Sequence, residues 1–384
     1  MEKRKWQKNN VETSLLGFGA MRLKTIDGQI DEEKGFALFD KAYYSGVNYF
    51  DTARVYTSGL NEGFVGKALK RYPRESFYLA TKCSFMAIQT KEEFEGIIDK
   101  QLESLQVDYI DFYLMHALNK DRLKQIKEWD MMKTIVKWKE EGKIRHIGFS
   151  FHDDYDTFIE ILDYFDWEFC QIQLNYVDQH LQQGIKGYYE LEKRGIPAVI
   201  MEPVKGGKLA KFSDDVEKVF KDYDEEASIA SWALRWVGSL PGVKVILSGM
   251  NEMEQVEDNL KTFENFKSLT VEEYEIIERA IETLKSREKV GCTKCEYCMP
   301  CPKGVNIPRN FSIYNDYAMY NDKNSLNWSI GELEKAGKGP SACVACGLCV
   351  KKCPQGMRGK ADINQMISPL NVKLQLLSPV SREV

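Results

Sequence analysis

Short apolar runs alternate with amphipathic stretches eight times through the first 262 residues of the chain. In order they read SLLGFG, NYFD, FYLATK, YIDFYLMH, KIRHIGFS, FCQIQLN, IPAVIME and VKVILSG. A run that is apolar along its whole length suits a strand buried on both faces. The stretches between suit helices laid over a sheet; residues 31 to 45 place Phe36, Phe39, Ala42 and Tyr43 on one side. Further helices are expected at 61–71, at 90–105 behind a Thr90/Glu93 capping box, at 129–141, from Asp153 or Asp156 to 163, up to Arg194, and at 225–237 and 252–262. Eight such units in roughly 250 residues predict an α/β fold closed as a (β/α)8 TIM barrel rather than an open sheet. The GFG of residues 17–19 has no third glycine and no helix behind it, so it is not the phosphate-binding turn of a doubly wound fold.

Chemistry in a parallel barrel gathers at the C-terminal strand ends. Here those ends carry Asp51 and Tyr56 after the second strand, Lys82 after the third and His116 after the fourth. Singly they have ordinary readings: a turn-forming acid, a snorkelling lysine, a core histidine. Together they make a proton donor. A phenol with a pKa near ~10 is a poor acid at neutral pH, and an adjacent ammonium lowers that value. Lys82 would activate Tyr56, Asp51 would hold Lys82 charged, and His116 would orient a carbonyl oxygen that Tyr56 protonates.

Cysteine placement defines a second domain. Eight of the ten cysteines lie between residues 292 and 353, in C292-TK-C295-EY-C298-MP-C301-P and C343-VA-C346-GL-C349-VKK-C353-P. The later run has the CxxCxxCxxxCP spacing of bacterial ferredoxins, and the earlier is one residue tighter before its last cysteine. Structural zinc uses paired CxxC, but two CP endings fit two 4Fe-4S cubanes better. In the ferredoxin pattern the fourth cysteine of each run serves the other cluster. Cys292, Cys295 and Cys298 then group with Cys353, and Cys343, Cys346 and Cys349 with Cys301. The 41 residues between the runs include a helical stretch at 310–322, so a mostly helical 4Fe-4S ferredoxin-like domain is expected from 289 to 384, its tail included, after a barrel of residues 1–288. Cys83 and Cys170 sit in apolar strands and read as core residues.

Composition narrows the partners. A net charge of -5 gives no electrostatic footprint for nucleic acid or an anionic membrane surface, and no apolar run approaches a bilayer span. Thiols spaced for metal rather than disulfides point to the cytoplasm.

The strand-end motifs FDTARVY, TK, DFYLMH, GKIRHIGFS and QIQLN, with ASWALRWV and EQVEDNL beyond them, resemble the aldo-keto reductase family. With the cysteine domain, the chain resembles that family's iron-sulfur-containing branch. The resemblance implies NAD(P)H bound in extended form, with Ser150 and Gln171 holding its carboxamide and Asn259 contacting the adenine. The family's pattern is broken in three places. Phe151 stands where an Asn usually follows the serine, leaving His152 or Asn175 as substitutes. Met201 replaces an aromatic beneath the nicotinamide, and Gly249 and Gln255 replace the two basic residues that clasp the 2'-phosphate. Unless Lys205, Lys208 or Lys244 reaches in, cofactor choice should be relaxed or lean to NADH.

The function expected is reduction of a small carbonyl, or oxidation of the alcohol, by a barrel attached or coupled to two clusters. Hydride moves two electrons and a cubane moves one, and no flavin motif bridges them. A second reading is therefore an electron-transfer or redox-sensing protein whose barrel binds nicotinamide but turns over weakly and whose clusters meet a redox protein partner.

Overall fold

The computed structural model describes residues 1–6 and 11–355. Eight strands close a parallel barrel in chain order: β1 Leu16–Gly19, β2 Tyr49–Asp51, β3 Tyr78–Cys83, β4 Ile110–Leu118, β5 Ile144–Phe151, β6 Phe169–Gln173, β7 Ala198–Met201 and β8 Val243–Ser248. Alternate residues point inward, as the two-residue period of a strand requires. Tyr49, Ala80, Phe112, Leu114, Phe169, Val199, Val245 and Leu247 make the inner core, which Trp6 and Val11 join. Gly148 is obligatory in this packing: a Cβ there would come within 2.5 Å of the Phe169 ring.

The polar start of the chain turns out to be a hairpin, Lys3–Trp6 paired with Val11–Ser14. Its Trp6 lies 4.8 Å from the Phe112 ring and donates Nε1–H to Thr13 at 2.9 Å, so one buried indole holds an otherwise charged strand on the barrel. Charge in Lys3, Arg4 and Lys5 hides this from a hydropathy reading.

Helix limits differ from expectation where caps decide them. Asp154 rather than Asp153 or Asp156 caps Tyr155–Tyr164, accepting from the Thr157 N–H. Thr90 caps as expected, but Glu93 accepts from the Gln89 amide instead of closing the box, and the helix breaks at Gly96 into Lys91–Glu95 and Ile97–Leu105. An additional helix, Lys120–Trp129, starts on an Asn119 cap.

The chain divides into two compact units. One holds residues 1–211 and 224–277. The other takes 212–223 together with everything described from Glu278 onward, so the division falls inside helix Val271–Lys285 and not at Lys289. In the second unit, helix Asp214–Lys221 buries Val216 and Phe220, Phe212 stacks on both the Phe220 and Tyr320 rings, and Asp215 pairs with Arg287. Helices Ile307–Tyr320 and Lys323–Lys335 pack through Ile313, Leu326 and Ile330. The tail at 361–384 lies outside the described residues. Among the described residues no helix is long and apolar enough to cross a membrane.

Candidate active site and cysteine-rich centre

Strand register builds the active-site layer. Asp51 lies opposite Ala80, and two residues on, on the same inward face, stands Lys82. Lys82 in turn lies opposite Leu114, and two residues on stands His116. Each functional side chain is thus one diagonal step further up the next strand, a consequence of the stagger that closes a barrel. The alternation that packs Tyr49, Ala80, Phe112 and Leu114 below carries these polar groups at the upper rim.

Lys82 is fully buried and spends its ammonium on Asp51 Oδ1 at 2.6 Å, Asp51 Oδ2 at 2.8 Å and the Thr52 carbonyl at 2.8 Å. Burial opposes its charge, yet Asp51 and Tyr56 outweigh that and hold its pKa above the ordinary lysine value. The Tyr56 ring centre lies 4.9 Å from the Lys82 Nζ and 6.0 Å from the His116 ring, edge to face with the latter. Here one expectation is corrected. Burial raises the phenol's pKa more than the Lys82 ammonium lowers it, so Tyr56 is held protonated above its ordinary value. Burial, with Lys82 and Arg122, pulls His116 down to about 2, so its imidazole is neutral.

Two positioning residues escaped the sequence reading. Ser84 continues the inward alternation of Ala80 and Lys82 and meets His116 Nδ1 at 2.5 Å. A serine hydroxyl donating there fixes the tautomer that carries its proton on Nε2. Asn61 is fully buried and joins three loops: its Oδ1 accepts from Thr52 at 2.6 Å, and its Nδ2 donates to the Ala20 carbonyl and to Thr57. Thr57 and Ser58 hold left-handed backbone (φ 49° and 53°), so Asn61 braces the strained turn that carries Tyr56.

Asp51, Tyr56 and His116 open into a cavity of about 700 Å³ that is also lined by Ser150, Gln171, Met201, Gly249, Gln255 and Asn259. A nicotinamide carboxamide fits what the walls offer. Gln171 Oε1 is buried with no partner, which suits an amide N–H donor. Ser150 lies opposite Gln171 in the β5–β6 ladder, and its Oγ accepts from the Ala117 amide at 2.7 Å, leaving the hydroxyl proton to donate. Phe151 points the other way and packs on Phe158 at 4.9 Å. Of its two suggested substitutes, Asn175 is spent on its own turn, accepting from Val177 and Asp178 and donating to Glu202. His152 lines the cavity.

The far end of the cavity is acidic. Glu254 and Asp258 line it, and Gln255 Oε1 accepts from the Asn251 and Glu252 amides, so this side chain caps a helix. Asn259 donates to Ser248 Oγ at 2.9 Å. Lys244 lies at the opening of β8, at the opposite end of the strand from the cavity, and donates to the Pro241 carbonyl; Lys205 is paired with Asp178. The cation the sequence reading missed is Arg22, three residues beyond GFG. It faces Glu202 at 3.6 Å, and a Cβ on Gly249 would fall 2.7 Å from its Cγ, so the glycine leaves room for the arginine.

In the second unit the two cysteine runs share one backbone pattern. Lys294 and Ala345, inside the first CxxC of each run, have φ of 59° and 54°, and Glu296 and Gly347, just after it, have 63° and 73°. Left-handed residues turn successive amides inward, the concavity that receives anions. One such amide, of Ala345, donates to Cys343 Sγ at 3.4 Å. Cys298, Cys301, Cys343, Cys346 and Cys349 line a common cavity, and Cys292 packs with several of them against Val290, Val305, Ile307 and Phe311. Cys301 shares that cavity with the later run, and so does Cys298, which the ferredoxin grouping assigns to the other cluster. Burial, then the nearby Cys292, Cys349 and Cys295, raises the Cys298 thiol pKa. Iron would reverse that by taking up the thiolate charge. Among the described residues no three cysteines are drawn together as a metal-holding group, but the thiol donor set and the inward amides are those an iron-sulfur cubane uses.

The parallel barrel, its polar rim and its dinucleotide-sized cavity define a nicotinamide-dependent oxidoreductase. Residues 15–282 match the model of the Aldo/keto reductase family, and residues 291–357 match a 4Fe-4S dicluster domain. The chain belongs to the aldo/keto reductase family and carries a C-terminal 4Fe-4S domain. It is similar to L-galactose dehydrogenase of Arabidopsis thaliana, 27% identical over 72% of this chain and 93% of the relative. It is also similar to the NADH-specific methylglyoxal reductase of Escherichia coli, 26% identical over 65% of this chain and 90% of the relative. Among solved structures, an aldo-keto reductase from Bacillus halodurans in its holo form superposes with a TM-score of 0.62 at 27% identity, covering 73% of this chain and 96% of its own.

Proposed function

We propose that the barrel reduces a small carbonyl compound with NADH, Tyr56 supplying the proton. The observation that carries this reading is the Tyr56 ring, its centre 4.9 Å from the Lys82 Nζ and 6.0 Å from the His116 ring, with Asp51, Tyr56 and His116 at one cavity. When bound, the dihydronicotinamide supplies hydride to the carbonyl carbon. Ser150 and Gln171 would hold its carboxamide, Met201 would pack on its ring and Arg22 would meet its phosphates, all four lining the cavity. His116 donates Nε2–H to the carbonyl oxygen, and Tyr56 delivers a proton there as charge develops. A phenol held above its ordinary pKa keeps its proton at neutral pH but is a weaker acid, so the Lys82 ammonium beside it has to stabilise the phenolate that forms as the proton leaves. The clusters suit the reducing conditions of the cytoplasm.

Tyr56→Phe tests the acid role. Turnover should fall by about 10²–10⁴-fold with NADH affinity little changed; undiminished carbonyl reduction would remove Tyr56 from the chemistry. Because His116 is neutral well below its ordinary pKa, the kcat/KM profile should show no inflection from this group between about pH 5 and 8.

The acidic adenosine end decides cofactor choice. Glu254 and Asp258 suit a ribose diol and repel a 2'-phosphate, and Gln255 supplies no charge in their place. NADH should bind about tenfold or more tightly than NADPH, a gap of about 1.4 kcal/mol. Titration of both cofactors, with Gln255→Arg narrowing the gap, checks this; tighter binding of NADPH to the unaltered protein would refute it.

A further inference from the structure

The Gln171 side chain has a single partner among the described residues, and that partner is a sulfur. Met201 ends β7 and lies opposite Gln173 in the β6–β7 ladder, two residues beyond Gln171. Two residues along a strand return to the same face, so the Gln171 and Met201 side chains stand one diagonal apart on the cavity wall. There Gln171 Nε2 donates to Met201 Sδ at 3.5 Å. The glutamine is 2% exposed, and its Oε1 is left without a partner. A thioether has no proton to give: it accepts an N–H and offers nothing to a carbonyl oxygen. Contact with Met201 therefore favours one orientation of the amide and penalises its reverse, in which oxygen would face sulfur.

We propose that Met201 is a positioning residue, its sulfur fixing the Gln171 amide so that Oε1 accepts from the N–H of the nicotinamide carboxamide. This rests on the reading of Ser150 and Gln171 as the carboxamide's partners. With Nε2 on the sulfur, the wall presents one acceptor, Gln171 Oε1, and one donor, the hydroxyl of Ser150 directly opposite in the β5–β6 ladder. A primary carboxamide, with one carbonyl oxygen and one amino group, is the complement of that pair. With the Gln171 amide reversed, two donors would meet the carboxamide, and its amino group would face another N–H in a site with little water to relieve the mismatch. An aromatic side chain at position 201 would pack on the ring but supply no lone pair to the glutamine. The methionine thus acts on the cofactor twice, by packing and through its neighbour.

The test uses the full chain with clusters intact and compares the binding of NADH with that of its reduced 3-acetylpyridine analogue, in which a methyl group replaces the amino group of the carboxamide. The unaltered protein should bind NADH about three- to tenfold more tightly, the range of one neutral hydrogen bond. Met201→Leu nearly conserves volume and removes the acceptor, and should bring the preference to about 1.5-fold or less. Gln171→Ala should do the same, and the double variant should lose no more of the preference than either single one, because both residues act on one bond. Met201→Phe should also lack it, since a ring supplies packing without the acceptor. ADP-ribose, which has no nicotinamide, should bind Met201→Leu as it binds the parent; a loss there would make the effect a general collapse of the cavity and count against the proposal. A Met201→Leu protein that keeps the preference, even if both cofactors bind more weakly, overturns the proposal, and the carboxamide reading still stands if Gln171→Ala abolishes the preference. A preference that is absent from the unaltered protein, or that survives Gln171→Ala, removes both.

Discussion

Lys82→Met is expected to suppress carbonyl reduction by about 10²–10⁴-fold and, at the same time, to destabilise the barrel by roughly 3–5 kcal/mol. Both effects follow from one buried contact. Asp51 is 3% exposed and Lys82 not at all, and the carboxylate takes two of the ammonium's three hydrogen bonds. Truncating the lysine leaves a carboxylate without its cation in the low-dielectric rim. Asp51→Asn together with Lys82→Met removes both charges and should recover most of the stability but none of the activity, which separates the catalytic role of the ammonium from its structural one. The lysine side of the pair has a pH dependence of definite sign, while burial raises the Asp51 carboxyl in the folded state and opposes the pair at the acid end. Since the folded pKa of Lys82 is raised, its contribution is full below the unfolded value of about 10.4 and is lost as pH rises through the folded value. Denaturant unfolding of the single and double variants, alongside NADH oxidation, measures both effects; a Lys82→Met protein as stable as the parent would contradict the buried-pair account.

Stripping iron from the second unit should unfold much of it while the barrel persists. Its cysteine-bearing part buries only Val290, Val305, Ile307 and Phe311 fully, with cysteines completing the cluster around them. So small a core does not offset the entropy of ordering long loops, and metal ligation has to supply the difference. Anaerobic protein should carry about eight irons per chain, and chelation should expose the segment from about residue 286 to 355 to protease. Helix Ile307–Tyr320 should lose protection with it, because Val290 is held to that helix by Asn315, which accepts from and donates to its backbone. NADH binding should survive. An iron-free second unit that stays resistant would show that its apolar contacts suffice. The Cys301→Ser variant should keep about four irons if this cysteine ligates with the later run.

Much of the site was legible because strand ends are legible. An apolar run that stops at Asp51, Lys82 or His116 announces both the end of a buried strand and a polar group in its inward register. The cysteine runs were equally plain, since cluster geometry fixes ligand spacing locally. Ser84 and Asn61 were not, because neither a serine after a strand nor an asparagine opening a helix is distinguished by local pattern. Their roles exist only where His116 and Thr52 arrive from elsewhere in the chain. Arg22 was missed for the same reason: what marks it is the Glu202 carboxylate that stands opposite it in the fold.

The amino-acid sequence alone settled the eightfold alternation, the family, the identity of the rim residues and the thiolate spacing, for these depend on periodicity and on neighbours within a few positions. Only the folded chain decided the direction in which the Tyr56 and His116 pKa values move and brought Glu254 and Asp258 to the wall of the same cavity. Burial and through-space charge set those properties, and both come from residues brought together across the barrel from distant parts of the chain.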